Sequence, residues 1–424
     1  MTESFLHYIW QFQYFDRKDL GTADGEPIQV LNPGIRNTNA GPDFSDARIK
    51  IGELEWRGSA ELHIKASGWN DHRHGDDAAY ENVILHVVWE NDKPVLRSDG
   101  SSMPTLELKN RTDPGLWNSY RKLFTSVDSI PCSSSWPGVA DLTKLSMLDK
   151  VLAERLESKA NSVRAMLDSN QGNWEETAYQ MLVRNFGFKV NLEPFLQLSQ
   201  ALPYKLLLRH VDKLQQVEAL LFGQAGFLEE AGPDEYRLLL IREYGVLSTK
   251  YQLAGKQLHK SQWRFLRLRP ANFPTVRLAQ LAALVCSKQN LISVFLNYSY
   301  AELMEWLNVS QSPYWLNHYQ FGKKSAHVPT LGKSSAQNII INSVVPLLAA
   351  YSLAHDDQQF MDKALDLLQR APAEKNRVTR QWSALGYHVR TAFDSQALIG
   401  LHNSFCQKRR CLECMVGAAL IRPK

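Results

Sequence analysis

Asp43 and Glu61 are two carboxylates eighteen residues apart, and the second opens the run Glu61-Leu62-His63-Ile64-Lys65. Side chains alternate along a strand, so Glu61, His63 and Lys65 are expected to share one face and Leu62 and Ile64 the other. A face bearing a carboxylate, an imidazole and an ammonium is expected to line solvent or a site rather than a core. Two acids beside a base suit Mg²⁺ or Mn²⁺, hard cations that take oxygen ligands and keep several waters. Asp43 and Glu61 would supply two oxygens and the Leu62 carbonyl a third. Such a cation polarises a phosphodiester and acidifies its bound water. Lys65 or His63 would then orient that water or offset charge growing on the phosphate. The competing reading is a solvated strand face whose acids and bases pair with one another.

Just downstream lies Trp69-Asn70-Asp71-His72-Arg73-His74-Gly75-Asp76-Asp77. His72, Arg73 and His74 are expected to contact phosphate or substrate. Joined by His63, and by His86 if it turns inward, these histidines would instead make a zinc or manganese site, because imidazole is a common ligand for both. A polar loop with Asp71 or Asp76 capping a helix accounts for the same residues without a site. His86 sits inside an apolar strand, where a histidine is usually a satisfied core residue.

A second group of donors closes the chain. Cys406, Cys411 and Cys414 are spaced Cys-x4-Cys-x2-Cys, with His402 just before them and Lys408, Arg409 and Arg410 among them. Three thiolates at this spacing can reach one metal. Zinc or an iron–sulfur cluster requires a fourth ligand, from His402, Cys132 or Cys286. A redox pair with lowered thiol pKa and three plain structural thiols are the alternatives.

The elements that would position these groups follow from periodicity. Residues 3–15 place aromatic and aliphatic side chains at helical spacing. Ala47–Ile51 and Leu54–Ala66 read as strands turned at Gly52-Glu53, and 76–81 as one or two helical turns. Val83–Trp89 is apolar on both faces and so is expected to be a central strand. Short strands are expected at 93–97 and 104–108. A Ser/Pro-rich stretch from Cys132 to Gly138 reads as a linker. Helical period then dominates: 141–168, 174–186, 192–201, 203–222, 234–254, 275–289, 299–308, 337–354, 357–370 and 393–402. The loop 311–335, with Lys323, Lys324, His327 and Lys333, is long enough to suggest a function. The expected fold is α+β: an N-terminal mixed β-sheet domain with flanking helices over 1–125, a linker over 126–140, and an all-helical domain with a Cys-rich tail over 141–424.

Composition limits the class. The chain has 424 residues, 44% hydrophobic and 22% charged, which is globular and too long for one ordinary core. No apolar run approaches the ~20 residues of a membrane span. The N-terminus lacks a basic region and a small-residue cleavage site, and five cysteines do not make a disulfide scaffold, so a reducing cytoplasm is expected. The net charge of +4 hides an asymmetry. Residues 1–125 carry 14 Lys and Arg against 19 Asp and Glu, a net of −5; the remainder carries 34 against 25, a net of +9. An acidic part suits a divalent cation and a basic part suits a polyanion. Two segments, His259–Pro270 and Lys375–Trp382, interleave basic and aromatic residues as a nucleic-acid surface would.

Pro42-Asp43, Glu61-x-His63 and the order helix, strands, short helix, strand resemble the PD-(D/E)XK nuclease superfamily over roughly residues 1–110. The family's lysine, two after the acid, is His63 here, so the resemblance implies that His63 or Lys65 takes that role. Some nucleases of that superfamily carry a cysteine-ligated cluster as a structural staple, which the tail resembles loosely. The segments NAGPDFSDARIKIG, GSAELHIKASGW, YENVILHVVWE and RLRPANFPTVRLAQLA, with the Cys-rich tail, resemble an uncharacterised bacterial family seen mainly in Bacteroidota, over the whole chain. That likeness implies bacterial cytoplasm and no particular activity.

The leading expectation is therefore a metal-dependent nuclease or nucleic-acid-processing hydrolase. Asp43, Glu61, His63 and Lys65 would be catalytic, with Asp43 and Glu61 on Mg²⁺ or Mn²⁺. Zinc or an iron–sulfur cluster would sit at Cys406, Cys411 and Cys414. Nucleic acid is the expected partner, with no membrane. The alternatives are a non-catalytic nucleic-acid-binding or scaffold protein, and a zinc hydrolase built on His63, His72 and His74. Glycine-rich phosphate loops, dinucleotide fingerprints and nucleophile elbows are absent from the sequence.

Overall fold

In the computed structural model the described residues are 1–423, apart from 230, 231, 288 and 289. They form two compact units, one of Met1–Met147 with Leu401–Lys424 and one of Leu148–Gly400. The C-terminal tail, expected within the helical domain, thus groups with the N-terminal residues. The expected 126–140 linker lies inside that same unit, where Cys132 and Trp136 are buried.

The first unit begins with α1 (Glu3–Gln11), capped by the Thr2 hydroxyl. Phe5, Leu6, Tyr8, Ile9 and Trp10 are all buried, so this helix turns a broad apolar face into the unit while Glu3, Ser4 and Gln11 stay exposed. Next come β1 (Ile28–Asn32), β2 (Ile35–Arg36), β3 (Phe44–Ile51) and β4 (Leu54–Lys65). The β3–β4 hairpin closes at Ile51↔Leu54, with Gly52 at φ 58° turning the chain as expected. The expected strands at Ala47–Ile51 and Leu54–Ala66 are therefore present, the first starting three residues earlier.

Residues 66–82 cross over to β5 (Val83–Glu90) through α2 (Gly68–Asp71) and two single 3₁₀ turns, His74–Asp76 and Ala78–Tyr80. Strand β5 pairs parallel with β4, which is why a connection of this length is required. On its other edge it pairs parallel with β6 (Thr105–Glu107), so it is central, as its two apolar faces demand. The sheet order is β1-β3-β4-β5-β6, with β2 also on β3. The strand expected at 93–97 is reduced to one bridge, Leu96↔Ser102. Helix α3 (Pro114–Phe124) follows, with its Pro at the first turn and Asp113 as cap.

Among the described residues, the regular structure of the second unit is helical apart from one small hairpin and the bridge Pro372↔Thr391. Helices Trp174–Phe186 and Leu192–Ala201 fall where their periodicity places them. The expected 203–222 helix is broken, because Leu208–Lys213 leaves the helical path before Leu214–Gln224. His210 holds that break, facing Gln216 at 2.7 Å and the Tyr251 hydroxyl at 2.9 Å. The helix expected at 275–289 spans Pro274–Ser287; residues 288 and 289 lie outside the described ones. The long loop 311–335 is not structureless. It holds a short helix at Pro313–Leu316 and a hairpin of His318–Gln320 with Lys323–Lys324, before a helix starting at Lys333. Among the described residues one helix, Lys333–His355, is long and apolar enough to cross a membrane, and 67% of its apolar window is buried inside the protein.

The two basic and aromatic segments do not present their tryptophans. Trp263 and Trp382 are buried, while Arg264, Arg267, Arg269, Lys375, Arg377 and Arg380 are exposed. Cations are available there to a polyanion, but neither indole is placed to stack on a base.

Candidate metal centre

Asp43 immediately precedes β3, and the β3–β4 register sets Phe44 opposite Ala60. That brings Asp43 beside Glu61 on the neighbouring strand. The Asp43 amide donates to Glu61 Oε2 at 3.0 Å, and the Leu62 amide donates to Asp43 Oδ2 at 3.1 Å. The loop ahead of Asp43 is pinned from within. Asn37 Nδ2 donates to the carbonyls of Ala40 and Pro42, and the Asn37 amide donates to the Asp43 carbonyl at 2.7 Å. The two acids therefore converge, as the metal reading requires.

Glu61 and His63 share a face of β4, and that face is buried beneath the crossover: Glu61 is 5% exposed and His63 2%. The crossover brings two more imidazoles. His74 Nε2 lies 3.3 Å and His63 Nε2 3.9 Å from Glu61 Oε1. His63 Nε2 also faces His72 Nδ1 at 3.2 Å, while His63 Nδ1 meets His86 Nε2 at 2.9 Å. One nitrogen from each of His63, His72 and His74 lies within 4.8 Å of the others. From α1, His7 Nε2 approaches Asp43 Oδ2 at 3.1 Å. Neither the His7 nor the His74 nitrogen is aligned to donate to its carboxylate, and both are buried without a hydrogen-bond partner. His63, His72 and His74 are spaced so that they could hold one cation, with Glu61 Oε1 beside two of them.

Packing fixes the rings. Tyr80 stacks on His74 at 3.8 Å between centroids, and Trp69 packs against His74 and His86, each at 5.4 Å. Gly68 opens α2 directly over His63; a Cβ there would lie 2.7 Å from His63 Cδ2, so the close approach needs glycine. Beside His74 lies a cavity of about 210 Å³, lined among others by Trp69, Asp77, Tyr80, Arg97 and Asp99.

The electrostatics have one sense. Burial, reinforced by the Asp43 carboxylate, pushes the Glu61 carboxyl up to about 8. Burial and the neighbouring imidazoles hold His63 down to about 4, and burial together with His63 and His74 holds His86 down to about 3. His74 is lowered for the same reasons. The site thus combines a buried acid that resists ionising with imidazoles that stay neutral and so keep a lone pair for a metal. A divalent cation satisfies both tendencies at once.

Two of the expected site residues lie apart from the cluster. Lys65 is the last residue of β4 and is exposed, and no contact of it with the Asp43–Glu61 pair is seen among the described residues. The strand alternation was read correctly, but β4 runs out from under the crossover before reaching Lys65. Arg73 is exposed in the left-handed conformation at φ 57°, between His72 and His74, and no contact of its side chain with the cluster is seen. Three contributors were not anticipated: His7, Tyr80 and the ring-orienting role of His86. His7 had a faint signal, since it lies in a helix whose buried residues surround it in sequence.

Residues 3–377 match the profile of a family described as protein of unknown function, DUF2851. The chain belongs to this family. The match covers Asp43, Glu61 and all five histidines of the cluster, and it ends before the Cys406–Cys414 tail, so the family is shown over most of the chain rather than all of it. No curated protein and no solved structure matches the chain.

Proposed function

We propose that this protein is a metal-dependent hydrolase of phosphodiester bonds, with its centre at Asp43, Glu61 and the imidazoles of His63, His72 and His74. The observation that carries the proposal is the convergence of both carboxylates and three imidazoles at the covered end of β4. The donor set is mixed oxygen and nitrogen, which favours Mn²⁺ or Zn²⁺ over Mg²⁺. A bound cation there would supply an acidified water and a counter-charge for phosphate. His63 takes the place of the lysine in the nuclease pattern. Because its ring stays neutral, it serves as a ligand or proton acceptor and not as a fixed positive charge. The element order α1, β1 to β4, α2, β5 is the order the nuclease resemblance implies, and the excess of cations after residue 125 suits a polyanion.

The trio His63, His72 and His74 supports a second reading, a zinc hydrolase acting on other bonds. One experiment separates the two. Full-length protein stripped of metal is given Mn²⁺, Zn²⁺ or Mg²⁺ and offered single- and double-stranded DNA and RNA, a generic phosphodiester, and ester and peptide substrates. Cleavage of the phosphodiesters, strongest with Mn²⁺ or Zn²⁺, is the expected result. Hydrolysis confined to esters or peptides selects the second reading, and no hydrolysis with any metal removes both.

A further inference from the structure

The second unit holds a pocket of about 250 Å³ that the proposed centre does not use. It lies between the turn that links the helices Trp174–Phe186 and Leu192–Ala201 and the start of the helix Pro274–Ser287. Phe186, Phe188, Phe195 and Leu268 give it apolar walls. Among the described residues no acid lines it, and Arg277 is its one charged side chain.

Arg277 is 4% exposed. Its Nη1 donates to Gln280 Oε1 at 2.9 Å, and its Nη2 donates to Asn272 Oδ1 at 2.6 Å and to Ser335 Oγ at 3.1 Å. All three partners are neutral. Its Nε is buried without a hydrogen-bond partner, and no carboxylate partners the side chain among the described residues. Burial alone draws the guanidinium down to about 10 from 12.5, which still leaves it cationic at neutral pH. A buried cation with neutral partners only is costly, and an anion beside it recovers that cost.

The chain is shaped to hold this cation at the pocket. Phe188 stands in the left-handed conformation at φ 48°, a strained state for a phenylalanine, and its ring centroid lies 4.5 Å from Arg277 Cζ. Just before it, a Cβ on Gly187 would lie 2.2 Å from the Asn191 carbonyl oxygen, so this turn needs glycine. Asn191 accepts from the Arg264 amide at 2.8 Å and donates to the Arg264 carbonyl at 3.0 Å, which ties the segment carrying Leu268 to the same turn. Pro274 opens its helix and Arg277 lies in the first turn, so the positive end of the helix adds to the charge of the guanidinium. The stretch RLRPANFPTVRLAQLA supplies Leu268, Asn272, Pro274, Arg277 and Gln280 together.

We propose that this pocket binds a small organic anion, with its carboxylate or phosphate paired to Arg277 and a flat apolar body against the phenylalanines. At about 250 Å³ the space is smaller than the ~300–1,000 Å³ of sites for drug-sized ligands, so it fits a single ring bearing one acidic group. The proposal does not rest on the phosphodiesterase reading, and its failure leaves that reading untouched.

The test uses full-length protein with a chelator present, so that no metal at the β4 site captures the anion. Calorimetric titrations are run with phenylacetate, phenyl phosphate, inorganic phosphate and the neutral benzyl alcohol. Either phenylacetate or phenyl phosphate should bind at one site per chain, at least about 10-fold tighter than benzyl alcohol and inorganic phosphate, the scale of a hydrogen bond to a charged group. The tighter of the two identifies the acidic group. Arg277→Gln should weaken that binding at least about 10-fold. Val190→Trp, on an exposed wall of the pocket, should fill the space and abolish binding with the circular dichroism of the parent. Arg267→Gln, an exposed cation next to Leu268, should leave it unchanged. In the parent, the bound anion should slow amide exchange in 186–191 and 268–277, a readout that needs no variant to fold. Anions that bind no tighter than benzyl alcohol overturn the site. So does affinity unchanged in both Arg277→Gln and Val190→Trp, or a loss in Arg267→Gln equal to that in Arg277→Gln.

Discussion

The Asp43 amide donates to the Glu61 carboxylate and the Leu62 amide donates back to the Asp43 carboxylate, so each acid is held by the other's strand. Two like charges gain nothing from each other's company. Their reciprocal anchoring makes sense when a cation completes the group.

Removing either acid should therefore remove metal rather than fold. Asp43→Ala and Glu61→Ala are each expected to weaken Mn²⁺ binding by at least about 100-fold, the scale of losing a centre's principal charge partner. Calorimetric titration of stripped protein with Mn²⁺ measures this, and unchanged affinity in both variants places any metal elsewhere. Circular dichroism should stay that of the parent.

Groups that orient the ligands should have smaller effects. His86→Gln loses the imidazole that meets His63 Nδ1, and Gly68→Ala forces a methyl against the His63 ring. Each is expected to weaken metal binding about 10–100-fold, as loss of an outer-shell partner typically does. Lys65→Ala, on an exposed side chain, should leave it unchanged. Equal losses in Lys65→Ala would mean that position on β4 does not decide membership of the site.

Binding to nucleic acid should be electrostatic. With Trp263 and Trp382 buried, any contact should be made by the exposed arginines and lysines around them, to phosphate and without either indole stacking on a base. Affinity for DNA, measured by anisotropy in the presence of a chelator, should fall linearly with the logarithm of salt concentration and differ little between sequences. Affinity insensitive to salt would contradict a phosphate-led contact.

Glu218 offers a pH-dependent stability term outside the proposed metal centre. It is fully buried in the second unit and accepts from the Tyr236 hydroxyl, and burial pushes its carboxyl up to about 7 from 4.5. Below pH 4.5 folded and unfolded chains are both protonated there. Between 4.5 and 7 the folded chain keeps a proton that the unfolded chain has released. Stability from this residue is thus fully present at low pH and is lost as pH rises through about 7, by up to about 3 kcal/mol. Denaturant titrations of Glu218→Gln should lack this fall relative to the parent; parallel pH curves would show that Glu218 is ionised in the folded state.

Much of this architecture was legible because it depends on local pattern. The apolar run Val83–Trp89 could only be a central strand, and Gly52 could only turn the hairpin between two alternating segments. Glu61 and His63 were placed on one face by strand alternation alone. What the alternation could not say is where that face stops being covered, and so Lys65 was included. His7 carried only the faint signal of its buried helix, because the meeting of α1 with β4 leaves no trace in spacing. Cys132 was read as one of three candidate fourth ligands beside His402 and Cys286, and spacing alone could not choose among them. The broken 203–222 helix turned on His210 finding Gln216 and Tyr251, a tertiary bond that outweighs helical period.

The central claim rests most directly on Mn²⁺-dependent cleavage of a nucleic-acid panel by the parent protein and by Glu61→Gln. That change keeps size and hydrogen-bonding capacity while removing the ionisable acid. The expected result is cleavage by the parent that stops on chelation, with the variant at least about 100-fold slower at equal DNA binding. Cleavage by Glu61→Gln at the parent's rate, or a parent that binds Mn²⁺ and cuts no phosphodiester, would contradict it.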